Sequence, residues 1–204
     1  MSEKKYVITI AREYGSGGRL IGQKLAEMLN ISFYDKEIIS LAAEESGLSE
    51  EFMRQHDQKK KPLSFVHNIY VSNKSLPLSE QIFQAQCQVI REVAEKSSCV
   101  IVGRCADHVL TDNPNCIKVF IQASEAEKIQ RIRHDYQETC ESPAAYAAKI
   151  DKERAAHYNY FTLEKWGNRQ NYHLVLNSTI GIEACALLIK QYVESFLAQQ
   201  HPIE

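Results

Sequence analysis

Residues 6–29 read YVITIAREYGSGGRLIGQKLAEML, and this stretch decides the fold. Its first part, residues 6–11, is an apolar run with neither strict alternation nor helical period, which is typical of a strand buried on both faces of a parallel sheet. A glycine-rich segment follows at residues 12–18. After it, apolar side chains recur with helical spacing at Ile21, Leu25, Met28 and Leu29. The stretch therefore predicts a central strand, a loop and a helix in direct succession.

The rest of the chain continues this alternation of strands and helices. Short strands are predicted at residues 31–35, 99–103, 116–121 and 172–177, and a helical pattern separates each from the next. A capping box, Ser124-x-x-Glu127, opens a helix expected to run to about residue 138. Alternating elements of this kind predict an α/β fold with a mostly parallel sheet of about five strands.

Composition excludes several classes of protein. The 204 residues are 44% hydrophobic and 25% charged, which is the balance of a globular protein, and 24 basic against 26 acidic residues give a net charge of −2. Because the chain has no overall positive field, we expect no nucleic-acid partner, and any anion site must be local. The apolar runs are too short for a signal sequence or a membrane span, and the six cysteines form no C-x-x-C pair. We therefore expect a cytoplasmic protein with reduced thiols that acts on a small molecule.

The loop after the first strand is the first candidate binding site, because ligands of parallel α/β sheets bind at the carboxyl ends of the strands. Its glycines and Ser16 let successive backbone N–H groups converge on an anion, and the following helix adds its positive end. Arg12 and Arg19 flank the loop with two guanidinium groups. A plain tight turn needs fewer glycines and no arginines. The sequence thus favours a phosphate site built from Gly15, Ser16, Gly17, Gly18 and Arg19.

Two phosphate-binding patterns compete for this loop. The dinucleotide pattern G-x-G-x-x-G takes Gly15 and Gly17 but then meets Leu20, and Asp35 stands where that pattern has its ribose-binding acid. However, residues 12–14 separate the strand from the first glycine and make the loop wide. A wide loop favours a polyphosphate over the tight pyrophosphate turn.

The P-loop pattern G-x-x-x-x-G-K-[ST] fits best with Gly18 as its second glycine. This register puts Glu13 in the place of the first glycine, Arg19 in that of the lysine and Leu20 in that of the hydroxyl. An arginine must then supply the positive charge at the phosphates. The sequence favours Arg19 over Arg12 for this task, because Arg19 holds the lysine's place and begins the helix.

Several segments together carry a family resemblance: ITIAREYGSGGRLIG at 8–22, FYDKEII at 33–39, VIVGRCAD at 100–107, KIDKER at 149–154 and WG at 166–167. Over residues 6–197 the chain resembles the cytidylate kinase-like family. The resemblance implies a three-layer P-loop fold in a single domain, 1–204, with a helical acceptor-binding insertion at 36–96 and a lid at 124–161. It also implies ATP and Mg²⁺ as cofactors and phosphoryl transfer to a nucleoside monophosphate such as CMP.

The resemblance extends to individual residues outside the loop. Arg104 resembles the arginine of the family's G-R-D element, which meets the acceptor phosphate. Cys105 replaces the aspartate of that element, and Asp107 is a candidate substitute two positions later. Asp151 and Arg154 match the D-x-x-R pair, in which the aspartate accepts a sugar hydroxyl and the arginine binds phosphate.

Arginines of the predicted lid complete the expected site. Arg131 and Arg133 are two residues apart and cannot share a helix face, and Arg131 is the one we expect to face the donor. Lys149 is a further candidate beside the D-x-x-R pair. The expected catalytic residues are Arg12, Arg19, Arg131 and Arg154. The expected acceptor-binding residues are Asp35, Arg104, Asp107, Lys149, Asp151 and Arg154, and no protein side chain is expected to bind metal.

Three classes of function remain open on the residues. The first is an ATP-dependent kinase acting on a small acceptor. The second is a nucleotide- or phosphate-binding protein without transfer activity, since the lysine and the hydroxyl of the P-loop pattern are missing. The third is a dinucleotide-binding oxidoreductase.

Overall fold

The computed structural model describes residues 5–46 and 77–199. The strands are β1 (Val7–Arg12), β2 (Ser32–Tyr34), β3 (Cys99–Val102), β4 (Cys116–Gln122) and β5 (Leu174–Asn177). The α-helices are α1 (Gly18–Leu29), α2 (Glu37–Ser46), α3 (Leu78–Lys96), α4 (Ala106–Val109), α5 (Glu125–His134), α6 (Pro143–Thr162) and α7 (Ile182–Gln199). Short 3₁₀ turns lie at Arg169–Asn171 and Ser178–Ile180.

The strands form a five-stranded sheet in the order β2-β3-β1-β4-β5, and every described pair is parallel. This confirms the predicted α/β class and the central place of β1. Dinucleotide-binding folds have the order 3-2-1-4-5-6, with β2 next to β1. Here β3 lies between them. The carboxyl ends of β1, β3 and β4 are therefore neighbours, and the loops that follow them meet at one edge.

Helices cover both faces of the sheet. Because successive side chains of a strand point to opposite faces, Val7 of β1 packs toward α2 and α3, whereas Ile8 packs toward α1 and α7. Side chains such as Ile21 of α1 and Ile90 of α3 are fully buried in these two apolar layers. The result is a three-layer α/β arrangement with β1 at its centre.

Two element ends differ from the sequence prediction by two residues or more, and the others by one residue at most. Helix α5 ends at His134 rather than near 138, and β5 begins at Leu174 rather than 172. Residues 47–76, which belong to the expected acceptor-binding insertion, lie outside the described residues. Among the helices that the structure describes, none combines the length and apolar character that crossing a membrane requires.

Candidate phosphate and acceptor site

Glycines give the loop between β1 and α1 its shape. Gly15 and Gly17 have φ angles of 77° and 76°, in the left-handed region that glycine adopts without strain. A Cβ at Gly17 would also lie 2.6 Å from the Cδ1 of Ile182. Gly17 is the N-cap of α1, and Gly18 is the first helical residue. The loop thus brings the N-terminal end of α1 to the carboxyl edge of the sheet, where that end favours an anion.

Several backbone amides of the loop have acceptors within the protein. The N–H of Glu13 donates to the Ile121 carbonyl at 3.0 Å, and the N–H of Tyr14 donates to Asp151 Oδ1 at 2.6 Å. The Ser16 N–H and hydroxyl both donate to the Glu13 carbonyl, at 3.3 and 2.7 Å. Of these acceptors, the Asp151 carboxylate is the one supplied by a side chain, and it comes from α6.

Arg12 lies at the end of β1 with its side chain only 15% exposed. Two glycines leave room for it: a Cβ at Gly18 would lie 2.6 Å from the Arg12 Cβ, and a Cβ at Gly103 would lie 1.9 Å from its Nη1. Burial and the nearby Arg154 lower the pKa of Arg12 to about 9, while Asp35 acts to raise it. A buried guanidinium whose pKa is lowered by other cations lies where a bound anion would be favourable.

Arg12, Arg104 and Arg154 converge beside the loop. Arg104 follows β3, and its charge also lowers the pKa of Arg12. Arg154 Nη1 donates to the Arg12 carbonyl at 3.1 Å, and among the described residues its buried Nε has no hydrogen-bond partner. The cavity among these side chains measures about 30 Å³ and is also lined by Asp107, Tyr158 and Trp166. That volume holds about one water molecule, so a larger ligand requires the surrounding helices to move.

Arg19 does not line the small cavity among the other arginines. Its Nε donates to Asp35 Oδ2 at 2.8 Å, at the carboxyl end of β2, and its side chain is 44% exposed. Asp35 is buried and also lies 3.6 Å from Arg12 Nη2. The sequence favours Arg19 over Arg12 as the replacement for the P-loop lysine, whereas the geometry favours Arg12, because the guanidinium of Arg19 is held by Asp35 at the rim.

Asp107 is a buried residue of α4 rather than an exposed loop aspartate. The hydroxyl of Tyr158 donates to its Oδ2 at 2.9 Å. Burial raises the pKa of Asp107, against a lowering by this hydrogen bond. Cys105, which holds the place of the family's aspartate, is buried beside it with a φ of 55°. Asp107 thus lines the small cavity, and its carboxyl group is hydrogen-bonded to a tyrosine of α6.

Helices α5 and α6 contact the loop directly. Arg131 Nη1 donates to the Gly15 carbonyl at 2.6 Å. Lys128 Nζ lies 2.6 Å from Glu13 Oε2 and 3.6 Å from Asp151 Oδ2. Burial raises the pKa of Asp151, while the Tyr14 N–H, Arg154 and Lys128 act to lower it. Charged side chains of α5 and α6, which lie in the segment predicted as a lid, therefore contact the loop.

The structure brings most of the predicted site residues to one edge of the sheet. Arg12, Asp35, Arg104, Asp107, Asp151 and Arg154 lie around the loop or the small cavity. Arg133 and Lys149 are exposed, and among the described residues no hydrogen bond or ion pair joins either of them to this edge. Lys128 and Tyr158 belong to the site and were not predicted. The sequence could have indicated Lys128, because it lies three residues before Arg131 and four before Ile132 and therefore shares their face of the helix.

The described residues do not form a magnesium site of their own. Among them, no group of three or more His, Cys, Asp or Glu side chains is placed to hold a metal ion. The Ser16 hydroxyl is used within the loop, and Leu20 offers no oxygen at the position of the P-loop hydroxyl. A magnesium ion brought by a nucleotide would have to keep water and phosphate oxygens as its ligands. The loop offers phosphate groups the N-terminal end of α1, while its amides at Glu13, Tyr14 and Ser16 donate within the protein.

A cavity of greater volume lies elsewhere, between α3 and the end of α6. It measures about 960 Å³ and is lined by Glu80, Glu92 and Glu95 with Arg91 as the one basic residue. None of the predicted site residues lines it. Its acidic balance does not suit an anionic ligand, so we place the chemistry at the loop.

Two solved kinase structures have folds similar to that of this chain. A shikimate kinase from Acinetobacter baumannii, in complex with shikimate, matches with a TM-score of 0.56 and 16% identity, over 95% of each chain. A gluconokinase from Sinorhizobium meliloti 1021 matches with a TM-score of 0.56 and 16% identity, over 97% of this chain and all of its own. The fold is the three-layer α/β fold of P-loop kinases.

The chain belongs to the cytidylate kinase-like family, whose model matches residues 7–180. An uncharacterized protein from Eubacterium ventriosum ATCC 27560 is similar over 94% of this chain and 99% of its own, with 28% identity and a TM-score of 0.70. No curated protein matches the chain.

Proposed function

We propose that the protein transfers the γ-phosphoryl group of ATP to a small acceptor, and that this acceptor is a nucleoside monophosphate. Membership of the cytidylate kinase-like family supports phosphoryl transfer as the reaction class. The observation that carries the proposal is the convergence of Arg12, Arg104 and Arg154 beside the glycine loop. Phosphoryl transfer needs little from a protein except positioning and positive charge around the phosphoryl oxygens, and this edge supplies both.

Donor and acceptor have separate places in this proposal. The loop from Gly15 to Arg19 holds the ATP phosphates, with Arg12 as the buried cation beside them. The amides of Ser16 and Gly18 exchange their internal acceptors for phosphate oxygens when ATP binds. Arg131 reaches the same loop from α5 and adds positive charge for the transition state. Magnesium bound to ATP would neutralise phosphate charge, and among the described residues no cluster of carboxylates is placed to hold it.

The acceptor lies on the other side of Arg12. Arg104 and Arg154 bind its phosphate, because their guanidinium groups line the cavity next to the loop. Asp35, Asp107 and Asp151 offer oxygens for its hydroxyl and base groups, and Lys149 contributes from the exposed side of α6 only if the lid rearranges. The small cavity implies that the lid at 124–161 opens to admit both substrates.

A panel assay tests this function. ATP consumption is measured with magnesium and CMP, UMP, AMP, GMP, shikimate or gluconate, for the wild type, for Arg12→Ala and for an exposed control, Lys152→Ala. Turnover with a nucleoside monophosphate that Arg12→Ala abolishes and Lys152→Ala retains supports the proposal. Turnover with shikimate or gluconate, and with no nucleoside monophosphate, would show that the acceptor belongs to a different class from the one proposed.

A binding protein without transfer activity is the second candidate. The observation that favours it is the replacement of the P-loop lysine and hydroxyl by Arg19 and Leu20, with the Nε of Arg19 donating to Asp35. ATP binding without turnover for any acceptor would support this candidate. The oxidoreductase alternative is disfavoured by the strand order and by Asp35, whose carboxylate is held by two arginines. NAD binding without ATP binding would revive it.

A further inference from the structure

The carboxylate of Asp151 lies on the phosphate loop. Its Oδ1 accepts the Tyr14 N–H at 2.6 Å, which makes a side chain of α6 the hydrogen-bond acceptor of a loop amide. The side chain is 16% exposed, so water screens this contact only partly. An anionic oxygen therefore already occupies the hydrogen-bonding position at the Tyr14 amide, next to the glycines of the loop.

The groups around this carboxylate together form an anion site. Besides the Tyr14 amide, Lys128 Nζ lies 3.6 Å from its Oδ2, and Arg154 Nη1 lies 3.6 Å from its Oδ1. An amide, an ammonium and a guanidinium are the groups that bind phosphate oxygens in proteins. They come from three elements, the loop, α5 and α6, so the site exists only while these elements are packed together.

Further contacts hold the three elements in this arrangement. Lys128 also pairs with Glu13 of the loop at 2.6 Å. The Tyr14 ring packs edge-on against Tyr136 and Tyr146, with centroid distances of 5.7 and 5.5 Å. Lys128 and Asp151 therefore act as part of a latch between the loop and the lid helices.

Lys128 is also well placed to provide the ammonium that the loop lacks. Arg19 holds the place of the P-loop lysine, and its Nε donates to Asp35 Oδ2 at 2.8 Å. The backbone of α5 instead approaches the loop closely: a Cβ at Gly15 would lie 3.0 Å from the Lys128 Cα. Lys128 is 16% exposed and lies between two carboxylates, those of Glu13 and Asp151.

We propose that Asp151 occupies the position of a nucleotide phosphate, that nucleotide binding displaces it, and that Lys128 then becomes the ammonium ligand of that phosphate. The identity of the ligand as ATP rests on the proposed function; the competition between Asp151 and an anion rests on the contacts alone. Loss of the Asp151 charge removes an internal competitor and a repulsive charge. Loss of the Lys128 charge removes a ligand.

Binding of ATP and of inorganic tripolyphosphate, measured by calorimetry without acceptor, tests the proposal. Asp151→Asn should bind both ligands about tenfold more tightly than the wild type, which corresponds to a latched form populated about nine-tenths of the time. Lys128→Met should bind both at least tenfold more weakly, although it also loosens the latch. Arg133→Met on α5 and Lys152→Met on α6 change exposed cations and should bind like the wild type.

The proposal predicts tighter binding by Asp151→Asn and weaker binding by Lys128→Met. A purely structural latch predicts instead that both variants bind more tightly, so the two explanations can be distinguished. Unchanged or weaker binding by Asp151→Asn, or tighter binding by Lys128→Met, would overturn the proposal, as would the absence of binding by every variant. Asp151→Ala provides a second variant if the asparagine retains the Tyr14 hydrogen bond or fails to fold, as judged by thermal unfolding. The expected pattern with no turnover in the panel assay would refute the kinase function and leave this inference standing.

Discussion

A single methyl group at residue 103 should displace the guanidinium group of Arg12 and thereby reduce activity. Gly103 has a φ of 77°, and an alanine Cβ there would lie 1.9 Å from the Arg12 Nη1. Since Cβ contacts under 3.0 Å do not occur, the guanidinium must move by at least 3.0 minus 1.9, or about 1.1 Å. A misplacement of this size costs about 10²-fold in rate, or about 2.7 kcal/mol of transition-state stabilisation. The left-handed backbone adds a cost of about 1–2 kcal/mol in the free energy of unfolding.

Gly181→Ala is the matched control for Gly103→Ala. Gly181 has a φ of 97°, and a Cβ there would meet nothing within 4 Å. Urea unfolding should show both variants destabilised, while kcat/KM for ATP consumption should fall about 10²-fold only in Gly103→Ala. In an Arg12→Ala background, Gly103→Ala should have little further effect on the rate. Wild-type activity of Gly103→Ala, or an equal loss in Gly181→Ala, would refute the assigned position of Arg12.

Three further predictions follow from the site. Arg12→Ala should lower kcat by about 10³-fold. Arg19→Ala should lower kcat far less, because Asp35 holds the Arg19 guanidinium at the exposed rim of the site. Steady-state kinetics showing the reverse order would return the catalytic role to Arg19. The wild type should discriminate weakly between CMP and UMP, and Cys105→Asp should raise the preference for CMP. The reason is that a buried hydrogen-bond partner can give discrimination of up to about 10⁴. Strong preference in the wild type would contradict this reasoning. Burial raises the pKa of Asp107, so the folded state binds that proton more tightly than the unfolded state, and stability should fall as pH rises from about 4 through the folded pKa. The dependence of Tm on pH should be flatter in Asp107→Asn, and an unchanged profile would exclude Asp107 as its source.

The fold could be predicted because its strands are buried on both faces. Apolar runs such as residues 6–11 and 99–103 fit only a covered parallel sheet, and the helical patterns between them fix the α/β class. The end of α5 could not be predicted, since no glycine or proline marks it: Asp135 caps the helix, and Gln137 then adopts a φ of 53°. β5 begins later than predicted because Tyr172 caps the 3₁₀ turn at Arg169–Asn171, and its N–H donates to the Arg169 carbonyl instead of to a neighbouring strand.

The site could be predicted only where local sequence carries the signal. The glycines and arginines of the loop stand together in the chain, so their convergence on an anion was expected. The environment of Asp107 depends on Tyr158, which is 51 residues away, and no local pattern indicates that contact. The choice between Arg12 and Arg19 likewise depends on Gly103 and Asp35, which only the sheet order brings beside the loop.

Direct observation of phosphoryl transfer tests the central claim most sharply. ATP labelled in its γ-phosphoryl group would be incubated with magnesium, the protein and each nucleoside monophosphate, and the products followed by ³¹P NMR. The account predicts that the label appears in a nucleoside diphosphate, and that Arg12→Ala prevents its appearance while Lys152→Ala does not. ATP that binds to the protein but keeps its label, or that loses it only to water, would contradict the account.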